Sequence, residues 1–164
     1  MMDIDTLQRL HPGLPGWRVA ELTGYAAIAL QRRHRPGKTL ALTLGGKPIA
    51  EMLTWSPRSG ANMVDDDRAT DAGAEGVALT IVGHHRKWRI ERRLTSRRGK
   101  READWLLDDP EAGKKIVLEI SGTDEGPFEA RVREKRGQIR LATRRGRPVV
   151  SVVRFLEPKA MLEA

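Results

Sequence analysis

The chain has 164 residues, no cysteine, 32% charged residues and a formal net charge of +8. This length suits one domain with its own core, and the missing cysteine excludes disulfides and thiolate metal sites. No apolar run approaches the roughly 18–20 residues of a spanning helix, and Met1-Met2-Asp3-Ile4-Asp5 lacks the basic-then-apolar build of a signal peptide, so a membrane partner is not expected and the cytoplasm is the predicted location.

The charge is unevenly divided. Residues 1–82 carry 9 Lys/Arg and 9 Asp/Glu, whereas 83–164 carry 21 and 13, so the whole excess belongs to the second half. A positive field of this kind attracts polyanions, nucleic acid first and an acidic protein second. Arginine outnumbers lysine by 22 to 8, which suits bidentate phosphate contacts; the competing reading is a solvated face of a basic protein.

In chain order, a short helix around Asp5 to Leu10 must stop at Pro12-Gly13 and Pro15-Gly16. A second helix is predicted from Trp17 to about Arg33, whose apolar members, Val19, Ala26, Ile28 and Leu30 among them, outnumber its charges, so that it packs against the rest of the chain, with a basic end before Pro36-Gly37. Lys38 to Trp55 reads as a hairpin turned by Gly45-Gly46, with Pro48 placing the returning strand at an edge. Gly37-Lys38-Thr39 is not a phosphate-binding loop, because Arg32 stands where that motif needs its first glycine.

Ser56 to Thr70 reads as a polar loop containing Asp65-Asp66-Asp67, and Asp71 as the N-cap of a helix through Val82 that carries Glu75 in its first turn. His84-His85 opens the next predicted strand, where adjacent side chains point to opposite faces and so do not share a metal. Lys87 to Arg92 alternates with period two and sends Trp88 and Ile90 inward. Beyond a basic turn at Arg97-Arg98-Gly99-Lys100-Arg101, two apolar strands follow, one around Asp104-Trp105-Leu106-Leu107 and one over Lys115 to Ser121.

Each of those strands holds one carboxylate. A carboxylate in an apolar strand loses hydration and must be neutralised by a proton, a cation or a metal ion. In the second strand Glu119 and Ser121 share a face opposite Ile116, Leu118 and Ile120. Pro127 opens a helix predicted through about Thr143, with Phe128, Val132 and Ile139 inward and Arg131, Lys135, Gln138 and Ala142 in a neighbouring polar row; Gly137 leaves room for a close approach. A second basic turn, Arg144-Arg145-Gly146-Arg147, leads into a buried strand from Pro148 to Phe155, and a short helical remnant closes the tail.

From Asp71 onward the predicted order is helix, three strands, helix, strand, with Asp104-Trp105-Leu106, then Leu118-Glu119-Ile120-Ser121-Gly122, then Arg131, Lys135 and Gln138. Over about residues 71–156 this resembles the PD-(D/E)XK (restriction-endonuclease-like) nuclease superfamily, in a Glu-x-Ser variant found in uncharacterised bacterial proteins. The resemblance implies an α/β protein with a mixed sheet and an αβββαβ core at 71–164, preceded by a helix-and-hairpin extension at 1–70. It implies Mg2+ or Mn2+ held by Glu75, Asp104 and Glu119, with water activated against a DNA phosphodiester. Ser121 stands where the superfamily has a lysine, so the resemblance assigns the missing cation to Lys135 or Arg131, and water or phosphate positioning to Ser121 and Gln138. Arg97, Arg98, Lys100, Arg131, Arg144, Arg145 and Arg147 would hold the nucleic-acid backbone without reading sequence. Two alternatives remain open. Asp104 and Glu119 could instead pair with Arg131 and Lys135 in an inert binding module, or the basic half could meet an acidic protein partner as an assembly subunit; a homodimer is compatible with each.

Overall fold

A computed structural model describes residues 1–94, 104–139 and 145–163. The architecture is α/β: one eight-stranded mixed sheet, with helices on both faces. Strands β1 (Met2–Asp3), β2 (Lys38–Leu44), β3 (Lys47–Thr54), β4 (Arg89–Arg93), β5 (Trp105–Asp109), β6 (Lys114–Thr123), β7 (Arg147–Arg154) and β8 (Lys159–Glu163) lie in the order β1-β3-β2-β8-β7-β6-β5-β4. The helices are α1 (Leu7–Leu10), α2 (Gly16–Gln31), α3 (Asp66–Ile81) and α4 (Phe128–Ile139). Among the described residues no helix is long and apolar enough to cross a membrane.

The hairpin forms as its turn chemistry requires: Gly45 and Gly46 take φ of 53° and 80°, values that L side chains adopt at a cost. It is not a separate appendage. β2 pairs in parallel with β8 from Ala41↔Lys159 to Leu44↔Leu162, so the first 70 residues continue the same sheet. The predicted helical tail is therefore corrected to a strand, inserted between β2 and β7. Its five residues lack a decisive local period, and long-range pairing on both sides determines their conformation.

Helix α3 begins six residues before the expected start, with its N-cap at Asp65 and not Asp71. Asp65 is the N-cap, its carboxylate accepting the Arg68 amide at 2.9 Å, while Asp66 and Asp67 occupy the first turn, where the helix dipole favours negative charge. Glu75 consequently sits in the middle of the helix. Helices α2 and α3 cover one sheet face and approach closely through small residues. A Cβ on Gly76 would lie 2.5 Å from the Leu22 carbonyl, and one on Gly73 2.9 Å from that of Tyr25. Leu22, Ala26, Ala74 and Val77 from these helices meet Leu107, Leu118, Val149 and Leu162 from the sheet in the main core. Burying one such leucine contributes about 1.5–3 kcal/mol.

Helix α4 covers the opposite face, where Phe128, Val132 and Ile139 pack on Val150, Val152 and Met161. The helix is described to Ile139, and the rest of the expected span to Thr143 lies outside the described residues. Among the described residues, Gly137 has no neighbour within 4 Å of the position a Cβ would take, so none of them makes the expected close approach there. It occurs instead at Gly146, where a Cβ would lie 2.7 Å from the Lys115 carbonyl. Strand β6 is thus buried on both faces from Ile116 to Thr123, with Ile116, Leu118 and Ile120 in the α2–α3 core and Glu119 and Ser121 turned towards α4.

Candidate functional site

Where β6, the start of β5, the end of β4 and the middle of α3 meet, a polar cavity of about 500 Å3 opens. Its walls include the predicted Glu75, Asp104, Glu119, Ser121, Arg131 and Lys135, together with Arg18, Arg68, Asp71 and Arg93. Among the described residues, five cationic and four anionic side chains face one space, an excess of one positive charge. Gln138 reaches it through Lys135.

Each of these groups owes its position to its element. Glu119 is held in β6, and Lys135, one turn beyond Arg131 on α4, extends back to it. Lys135 Nζ donates to Glu119 Oε1 at 2.9 Å and to Gln138 Oε1 at 3.0 Å, with Lys135 and Glu119 side chains only 9% exposed. Two residues along β6, Ser121 Oγ lies 3.4 Å from Arg131 Nη1. The i and i+2 positions on a strand face are matched by i and i+4 on the helix, so both pairs form across one interface.

Asp104 stands immediately before β5, and continuing the Trp105↔Leu118 register places it opposite Glu119. Its Oδ2 accepts the Ile120 amide at 2.7 Å, and its Oδ1 lies 3.5 Å from Arg93 Nη2. Arg93 also donates to Glu75 Oε1 at 2.5 Å, while Arg18 meets Glu75 Oε2 at 3.2 Å. Both guanidinium groups lie over Trp105, 5.1 Å (Arg93) and 5.8 Å (Arg18) from the ring centroid, at cation–π distance. Burial raises the Glu75 carboxyl above its ordinary pKa; Arg93 and Arg18 pull the other way, and the Asp104 charge adds to the rise.

The sequence did not single out Arg18 or Arg93. Arg18 belongs to an otherwise ordinary first turn of α2 and Arg93 to the end of a basic strand, and only the fold joins them to Glu75. Of the predicted phosphate-binding residues, Arg145 lies exposed just before β7 and Arg147 exposed as its first residue, whereas Arg97, Arg98, Lys100 and Arg144 lie outside the described residues.

The fit of a metal divides the predicted ligands. Asp104 and Glu119 are hard oxygen donors on adjoining strands, and Mg2+ needs only one or two carboxylates beside water and substrate phosphate. Glu75 has a guanidinium group on each oxygen, an arrangement that uses it to hold Arg93 and Arg18. Among the described residues, the group of three His, Asp or Glu donors that gathers within 4.8 Å lies elsewhere, at Glu51, His84 and His85. No family model, curated protein or solved structure gives a significant match to this chain.

Proposed function

We propose that this chain is a small nuclease-like protein acting on DNA phosphodiesters, with Mg2+ or Mn2+ held by Asp104 and Glu119. The observation that carries the reading is Lys135: an ammonium from α4 enters the cavity beside the β6 glutamate, near Ser121, where the chemistry needs a positive charge. A bound ion would supply Lewis-acid charge neutralisation and lower the pKa of a water. The chain's own groups do the rest. Arg131 and Lys135 meet the phosphate oxygens, Arg93 and Arg18 keep the opposite wall positive under the control of Glu75, and Gln138 fixes the Lys135 ammonium. Ser121 donates or accepts one hydrogen bond from water or phosphate and leaves the charge to Lys135. The test is incubation of supercoiled plasmid and single-stranded DNA with Mg2+ or Mn2+. Cleavage that chelator and Asp104→Asn both abolish supports the proposal, and intact DNA under all these conditions overturns it.

One observation favours a second reading. Glu75, Asp104 and Glu119 already meet cationic side chains, so the cluster is compatible with neutralisation without a metal. The protein would then be a catalytically inert nucleic-acid-binding module, recognised by a gel shift that survives chelator in a preparation that cleaves nothing.

A further inference from the structure

The turn that joins α3 to β4 carries chemistry that the cavity does not use. Residues Val82–Arg86 form a π-turn that ends at Lys87, whose φ of 59° lies in the left-handed region. Had this segment been a strand, as its sequence suggests, His84 and His85 would point apart. On an α-helical turn adjacent side chains stand about 100° apart, and on the wider π-turn somewhat less, and the two rings approach to 4.8 Å between centroids. Glu51 of β3 comes up to meet them, and one donor atom from each of the three lies within 4.8 Å of the others.

We propose that Glu51, His84 and His85 form a binding site for a divalent transition-metal ion of the zinc class, independent of the nuclease reading. Two imidazoles and a carboxylate are a zinc donor set, with a fourth position for water. With bonds of about 2.0–2.1 Å, two ligands of a tetrahedral zinc stand roughly 3.3 Å apart. His85 Nε2 and Glu51 Oε2 are 3.2 Å apart. Despite that proximity His85 Nε2 is buried without a hydrogen bond among the described residues, as expected of a nitrogen aimed at a shared centre instead of along an N–H···O line. The other carboxylate oxygen, Oε1, meets the Met1 ammonium at 3.1 Å, which steadies the side chain. The ion would tie β3 to the end of α3, a structural clasp, and none of its three ligands lines the cavity of Asp104 and Glu119.

The test uses untagged full-length protein, stripped with chelator and titrated with Zn2+ and Co2+. The expected result is one Zn2+ retained per chain after dialysis, a visible absorption of four-coordinate Co2+ strength, and a rise in Tm of about 5–10 °C at a hundredfold excess over Kd. His84→Ala and His85→Ala should each weaken binding more than about tenfold, since loss of an outer-shell partner alone costs that much. Glu51→Gln, nearly isosteric, should weaken it as well while circular dichroism reports an unchanged fold. Absence of stoichiometric binding overturns the proposal, as does affinity that persists in both histidine variants or is lost in Asp104→Asn.

Discussion

The Lys135–Glu119 pair offers the most direct way to separate a site from a structural ion pair. Both side chains are 9% exposed and 2.9 Å apart, so Lys135→Met removes the ammonium from a carboxylate with little access to water. Breaking a buried pair costs about 3–5 kcal/mol, and the lower end applies because Glu119 makes further contacts. Replacing both partners, as Glu119→Leu with Lys135→Met, removes the desolvation cost together with the attraction and should be nearly neutral. Urea unfolding of the four proteins of this cycle gives the coupling, with m-values checked for constancy. The functional part follows from linkage: if Asp104 and Glu119 hold Mg2+, the ion competes less with Lys135 in the single variant. Mg2+ at about ten times its Kd should then stabilise Lys135→Met by about 1.4 kcal/mol, and the double variant by nothing. A single variant that loses less than about 1 kcal/mol, or one that Mg2+ leaves unchanged, refutes the idea that this pair occupies a metal-competent position.

Further tests reach other parts of the molecule. His11 is fully buried, its Nδ1 accepting the Ile90 amide at 3.2 Å and its Nε2 donating to the Leu79 carbonyl at 2.7 Å, so a second ring proton would face the Ile90 N–H. Burial holds its pKa below 6.5; stability is therefore complete above the unfolded-state pKa and is lost as pH falls through the folded one, and a Tm–pH profile should decline below pH 6.5 more steeply than that of His11→Gln. Gly76→Ala should destabilise by about 1–3 kcal/mol despite better helix propensity, because the new methyl meets the backbone carbonyl of Leu22 at 2.5 Å; equal or greater Tm would contradict the close α2–α3 packing. If the exposed start of β7 positions DNA, Arg147→Ala should weaken binding alike on all sequences and reduce the slope of log K against log salt by about 1 in gel-shift titrations.

How much of this could be read from the sequence depends on whether the cause was local. The alternation in Ile116 to Ser121 and the Gly45-Gly46 turn act over a few residues, and the strands and turn they predict are present. The polar row Arg131, Lys135 and Gln138 also follows from helical spacing, and it faces the carboxylate strand as that spacing requires. Asp65-Asp66-Asp67 misled because a run of aspartates is compatible with a solvated loop, and only the Arg68 amide shows which one caps α3. The small face of α3, with Gly73 and Gly76, weakens the helical signal while permitting the close packing that stabilises the helix. Arg18 and Arg93 are separated by most of the N-terminal half, and nothing in their neighbourhoods marks them; their role at Glu75 is a product of topology. His84-His85 illustrates the same limit from the other side. Its residue types advertise metal chemistry, but whether the two rings converge depends on the backbone between them, and a π-turn reverses the answer that a strand would give. Residue chemistry was legible throughout, whereas convergence required the fold.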